Sequence, residues 1–125
     1  MAKPTRIFAG IGALLGAIGV VEAAAAAHAI TNPLLKTASD FLLIHAAAII
    51  AFSAFAEAVR PARVLYVGIG ALLLGSLLFG GELTSHVFFP QGAFVAAAPI
   101  GGALTILGWL IAAAGIFVSA FQGQD

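Results

Sequence analysis

The chain has 125 residues, of which 62% are hydrophobic and 8% charged, and its formal net charge is zero. A soluble domain carries roughly 25% charged residues, so this composition suits lipid rather than water, and the neutral balance offers neither a nucleic-acid footprint nor a polybasic lipid-binding tail. The absence of cysteine excludes disulfides, thiolate metal sites and cysteine nucleophiles.

Four segments approach the roughly 20 apolar residues that span a bilayer. The first is predicted over about 5–30 and closes at the turn residues Thr31-Asn32-Pro33. Lys3 and Arg6 ahead of an apolar run, with Ala27-His28-Ala29 behind it, have the form of a cleavable leader. A leader core runs only about 7–15 residues, whereas this run extends from Ile7 to Ile30, so the segment is expected to be kept as a membrane helix. The second helix is predicted over about 39–59, with Ser39 or Asp40 as its cap. Arg60-Pro61-Ala62-Arg63 follows as a loop, and the third helix is predicted over about 64–85. Phe88-Phe89-Pro90-Gln91-Gly92 breaks the apolar pattern. The fourth helix is predicted over about 98–121. Either it starts near Ala98 with Pro99 in its first turn, or it starts earlier and kinks there. Gln122-Gly123-Gln124-Asp125 forms a short polar tail.

These elements predict a single all-α domain, an integral membrane four-helix bundle with antiparallel up-down-up-down order, because short loops make consecutive helices neighbours. Lys3, Arg6, Arg60 and Arg63 fall on one side and Lys36 on the other, so the positive-inside rule places both termini in the cytoplasm. Helices in lipid gain no hydrophobic drive toward one another; close approach at small residues supplies the contact instead. Gly12 and Gly16 form a GxxxG pair continued by Gly19, Gly68 and Gly75 are one heptad apart, and Gly101, Gly108 and Gly115 make a ladder. These are expected to serve packing within the bundle in preference to a homo-oligomer interface. The alanine run from Ala23 to Ala27 either admits a neighbouring helix very closely or leaves room for a bulky group.

The polar residues are few, and their depth follows from about 1.5 Å of rise per residue. Glu22 comes about 24 Å past Arg6, His45 about 7–8 Å into the second helix, and Glu82 about 28 Å past Arg63, with His86 one turn later. Together with His28 they are all expected in the outer half, while Glu57 lies near the cytoplasmic boundary. Glu82 and His86 share a helix face at i,i+4; Glu22 and His28 do not, being about 120° from coincidence. An ionisable residue inside a membrane is a functional candidate by default. Glu22, with His45 and His86 as its preferred partners, is therefore the head of a candidate polar or metal site that also includes His28 and Glu82. Against that stands the plainer reading of Glu82 and His86 as a helix end, and of His45 as a hydrogen bond between helices.

Several local patterns carry a resemblance. His28 ends a Gly/Ala-rich first helix, His45 sits in Leu-Ile-His-Ala-Ala-Ala-Ile, and Phe79-Gly80-Gly81-Glu82 is followed by Ala98-Pro99-Ile100-Gly101-Gly102 and Leu107-Gly108-Trp109. The chain resembles the domain-of-unknown-function 423 family of small bacterial inner-membrane proteins, relatives of eukaryotic transmembrane protein 256. His28, His45, Gly81, Pro99, Gly101, Gly102 and Trp109 match the family pattern. Glu82, Glu22 and the Ala-Ala-His at the end of the first helix depart from it, so the resemblance assigns the carboxylates no role. What it implies is a four-helix fold and a bacterial inner-membrane location.

Three functional classes follow. The first, which is preferred, is a non-enzymatic structural or accessory subunit, in contact with the bilayer and with a larger membrane complex or further copies of itself. The second is a metal or haem centre near the outer leaflet, since histidine and carboxylate suit zinc, iron, copper and manganese; yet neither HExxH nor Glu-x-x-His is present. The third is a local proton-responsive site. Hydrolase chemistry lacks a nucleophile elbow. Ser76 and Thr105 are expected to bond back to helix carbonyls or across helices, Trp109 to pack in mid-helix, and Tyr66 to sit in the interfacial belt.

Overall fold

The computed structural model describes residues 1–91 and 96–122. Gly92 of the expected break, and Gly123, Gln124 and Asp125 of the polar tail, lie outside the described residues. The elements are α1 Lys3–His28, α2 Pro33–Phe55, α3 Arg63–Phe88 and α4 Ala97–Gln122. Each is long and apolar enough to cross a membrane.

The helix boundaries follow local chemistry, and they correct the sequence reading of α2. That helix begins six residues before Ser39, because Asn32 is its cap and accepts from the Leu34 amide at 3.0 Å. Pro33 then occupies the first helical position, where its fixed φ suits the helix and its missing N–H costs nothing. Ser39 and Asp40 are interior residues. Ser39 donates to the Gly19 carbonyl of α1 at 3.0 Å, and Asp40 accepts from Lys36 one turn earlier at 2.7 Å. α2 ends at Phe55 rather than Val59, in a turn that prepares for Pro61, a residue that cannot continue a helix. α3 continues unbroken through Gly80 and Gly81 to Phe88, just before Pro90. α4 starts at Ala97, so Pro99 falls in its first turn and the helix needs no kink there.

Consecutive helices run antiparallel. α1 packs on α2, α2 on α3 and α3 on α4. The tightest faces are made by glycine. A Cβ added at Gly68 would lie 2.8 Å from the Ala112 amide nitrogen, one at Gly108 2.8 Å from the Leu72 amide nitrogen, and one at Gly101 2.5 Å from that of Phe79. Backbone therefore meets backbone along α3 and α4, which is the approach that gives membrane helices their dispersion contacts. On α1, Gly12 faces Ile49, Ile50 and Ala46, and Gly19 faces Leu43. Gly16 lies against Ala46 at ordinary contact distance, and Gly115 and Gly75 face Leu65 and Thr105 across the α3–α4 seam. The core between these faces comprises Leu15, Leu42, Ile49, Leu65, Ile69 and Leu72 with Ala46 and Ala112.

Both helix pairs also touch diagonally. α1 reaches α3 through Thr5–Tyr66 and Glu22–Thr84, and α4 reaches α2 through Trp109–His45. On α2 the residues turned to α1 (Ser39, Leu43, Ala46, Ile50) and those turned to α4 (His45, Phe52) occupy different sides of the helix. α1 and α4 thus flank a central α2–α3 pair, and their outer faces meet lipid. Exposed Leu14, Ile18 and Val21 on α1 and Ile106, Leu110 and Phe117 on α4 are suited to that contact.

Candidate functional site

Lys3, Arg6, Arg60 and Arg63 gather at one end of the bundle, because α1 and α3 begin there and α2 and α4 end there. The Ala2 amide donates to the Glu57 carboxylate at 2.8 Å, so a residue from the α2–α3 connection answers an open N–H at the start of α1. The Thr5 and Tyr66 hydroxyls share a hydrogen bond of 2.7 Å. The Thr5 hydroxyl, then the Ala2 amide, hold the Glu57 carboxyl below the usual carboxylate range, with smaller help from the chain N-terminus and Arg60. Tyr66 is thus hydrogen-bonded at the basic end as well as stacked on Phe8, at 6.1 Å between ring centroids.

His45 occupies mid-helix, twelve residues into α2 and so about 18 Å from its start. This corrects the shallow, outer-half position read from the sequence, and the reason is the earlier cap at Asn32. Its Nδ1–H donates to the Phe41 carbonyl at 2.7 Å, since a carbonyl only accepts. Nε2 is then the acceptor, and Trp109 Nε1–H of α4 donates to it at 3.1 Å. Both ring nitrogens of a neutral imidazole are satisfied. Phe41 stacks on the ring at 4.2 Å, and Trp109 meets Phe52 edge-on at 5.4 Å. The pair is a polar bolt between α2 and α4 inside an aromatic cluster.

Near the opposite end, Glu22 lies six residues before the last residue of α1 and Thr84 four before the last of α3. α1 and α3 run parallel and end at the same end of the bundle, which brings the two residues to one level, where Thr84 Oγ1 donates to Glu22 Oε1 at 3.0 Å. Glu22 Oε2 is buried without a hydrogen-bond partner among the described residues. Glu82, 5% exposed, accepts from His86 Nε2 at 2.8 Å one turn on. The Ser85 hydroxyl donates to the Glu82 carbonyl at 2.7 Å. His28 is the last residue of α1 and is exposed. The alanine run leaves space rather than closing it: Ala23, Ala26 and Ala27 line a small cavity of about 170 Å³ with Lys36, Ser39 and Asp40.

The candidate residues therefore divide. Glu22 meets Thr84, Glu82 meets His86, and His45 meets Trp109. Among the described residues no three His, Cys, Asp or Glu side chains come together as a metal ion would need. A single centre built from Glu22, His45 and His86 does not form, because the imidazole of His45 faces α4 at mid-depth while Glu22 faces α3 nearer the end. The sequence reading missed Thr84 and Trp109 as partners. The glycine ladder held a signal for Trp109: Gly108 faces α3, and the next residue lies 100° round the helix, toward α2.

The serine and threonine hydroxyls bond as their helices require. Ser53 donates to the Ile49 carbonyl, Ser76 to that of Leu72 and Thr105 to that of Gly101, each one turn back, at 2.6, 2.6 and 2.8 Å.

Four apolar membrane-length helices, antiparallel and joined at glycine faces, with hydrogen-bonded polar residues between them, define a polytopic α-helical membrane protein. The family model described as "Protein of unknown function (DUF423)" matches residues 15–102, and the chain belongs to that family. It is 31% identical over 114 residues to a UPF0382 membrane protein of Haemophilus influenzae, a match that covers 86% of this chain and 90% of that protein. No solved structure matches the chain.

Proposed function

We propose that this membrane protein is a non-enzymatic accessory or structural subunit of a larger assembly in the bacterial inner membrane, with its basic end in the cytoplasm. The observation that supports this reading most directly is how the interior polar groups are used. Ser39, Ser53, Ser76 and Thr105 each donate to a helix carbonyl, and both nitrogens of His45 are engaged. Ser39 and His45 join neighbouring helices, Ser53, Ser76 and Thr105 bond back within their own, and none is poised toward a reacting atom. The Ser85 hydroxyl lies 3.4 Å from Oε2 of Glu82, whose other carboxylate oxygen takes His86, but it donates at the shorter 2.7 Å to the Glu82 carbonyl.

The test is purification of untagged protein from its native membrane in several mild detergents and in native-lipid nanodiscs, followed by cross-linking and mass spectrometry. A subunit recovers the same partner at fixed stoichiometry in every preparation. Recovery only as a monomer or homo-oligomer in all of them rejects the accessory role.

A further inference from the structure

We propose that the face shared by α1 and α3 at the basic end binds an anionic phospholipid, with the headgroup at Lys3 and Arg63 and the acyl chains along the exposed apolar stripes below them. α1 and α3 run parallel, and their first residues, Lys3 and Arg63, stand at the same end. The hydrogen bond between the Thr5 and Tyr66 hydroxyls and the stacking of Phe8 on Tyr66 hold the two helix starts side by side.

The positive charges are open to an occupant. Lys3, Arg6 and Arg63 are exposed, and the ion pairs among the described residues, Lys36–Asp40 and His86–Glu82, lie toward the other end. Arg60 is more constrained, since its guanidinium donates to the Glu57 and Val59 carbonyls at 3.1 and 2.9 Å. Among the described residues Glu57 is the acid of this end, and its carboxylate accepts from the Ala2 amide. Even with Asp125, outside the described residues, counted as a second acid here, four basic residues outnumber two acidic ones. An anion is what this end lacks.

The surface beneath the charges selects a lipid. Lys3, Ile7, Leu14 and Ile18 fall within about 60° of one another around α1, and Arg63, Val67, Gly70, Leu74 and Leu77 within about 80° around α3. The large apolar side chains of both stripes are exposed, and a Cβ added at Gly70 would meet nothing within 4 Å. The stripes look the same way, because Ile18 of one and Leu77 of the other line a single groove between the helices. One leaflet, half of a hydrocarbon core of roughly 30 Å, covers about ten residues of helix; on α3 that takes in Val67 and Gly70 and ends near Leu74. A headgroup phosphate at the interface thus meets Lys3 and Arg63 while its chains lie on the stripes, with a recess at Gly70. A soluble acidic segment answers the charges but not the apolar surface directly beneath them. A zwitterionic lipid covers that surface but brings an ammonium group to a basic site.

The probes are phosphatidylglycerol and phosphatidylethanolamine with identical acyl chains, titrated onto the full chain in a neutral maltoside detergent and read by native mass spectrometry. The wild type is expected to bind the anionic lipid at least about fivefold more tightly, the scale of one basic residue at an anionic lipid surface. The double variant Lys3→Gln, Arg63→Gln should bring phosphatidylglycerol down to the phosphatidylethanolamine level, whereas Lys36→Gln, at the opposite end, should leave the preference intact. Gly70→Leu fills the recess and should weaken both lipids. Excess inorganic phosphate should displace neither. Equal binding of the two lipids by the wild type, or a preference that survives the double substitution, would overturn the proposal. So would a preference lost equally in Lys36→Gln, which would assign it to net charge, or unweakened binding in Gly70→Leu, which would move the chains off these stripes. Displacement by phosphate would show a free-anion site in place of a lipid site. Thermal unfolding confirms that each variant compared is folded.

Discussion

His45 and Trp109 show how one hydrogen bond is placed at mid-membrane depth. The indole N–H has a single use, donation, and imidazole Nε2 is free to accept because Nδ1–H is held by the Phe41 carbonyl. Trp109→Phe removes the donor and keeps most of the ring. It is expected to destabilise the bundle by about 1 kcal/mol, the scale of interhelical polar contacts in membranes, read as a shift in the unfolding midpoint during SDS titration of mixed micelles. An unchanged midpoint would mean that the aromatic packing on Phe52 carries the contact alone. At the basic end Glu57 gives a pH prediction. Its folded carboxyl is held below the usual range by Thr5 and the Ala2 amide. A depressed folded pKa contributes stability above the unfolded value near 4.5, and that contribution is lost as pH falls through the folded pKa. Thermal unfolding of the wild type should therefore be steady near neutrality and fall more steeply in acid than that of Glu57→Gln. Parallel pH profiles for the two proteins would remove Glu57 as the group responsible.

Helices meet at their glycines, and the effect of filling each one depends on what lies opposite. Gly68 and Gly108 face backbone across the α3–α4 seam, whereas Gly70 on the same α3 faces open space. Gly108→Ala forces α3 and α4 apart and should cost about 1–3 kcal/mol, the usual range for overpacking. Gly70→Ala should be neutral or stabilising by up to about 1 kcal/mol, because alanine is the better helix former. The same SDS titration separates them, and equal effects would mean that the seam tolerates a methyl group. The heptad spacing of Gly101, Gly108 and Gly115 was readable in the sequence because a repeated small residue has few other purposes on an apolar helix. The start of α2 was misplaced for the opposite reason. Ser39 and Asp40 are good capping residues taken alone, but Asn32-Pro33 combines a cap with a pre-set first turn six residues earlier. That shift moved His45 to mid-depth and dissolved the expected cluster. Depth along a helix is only as good as its first residue, and lateral partners such as Thr84 depend on the neighbouring helix, which spacing along one chain does not encode.

Across the whole molecule the two ends differ in chemistry. One end gathers Lys3, Arg6, Arg60 and Arg63 with Glu57; the other carries His28, Lys36, Asp40 and His86. Basic residues flanking short connections bias insertion toward the side on which they are retained. With four at one end and one at the other, the basic end is expected in the cytoplasm, and the even number of spans then places both termini there. The chain has no cysteine, so single-cysteine reporters read this without background. Thr31→Cys lies exposed between α1 and α2, and Ala58→Cys lies exposed beyond α2 at the basic end. In right-side-out spheroplasts a membrane-impermeant maleimide should label Thr31→Cys at once and Ala58→Cys only after the membrane is opened. The opposite pattern would reverse the orientation and put both termini outside the cytoplasm.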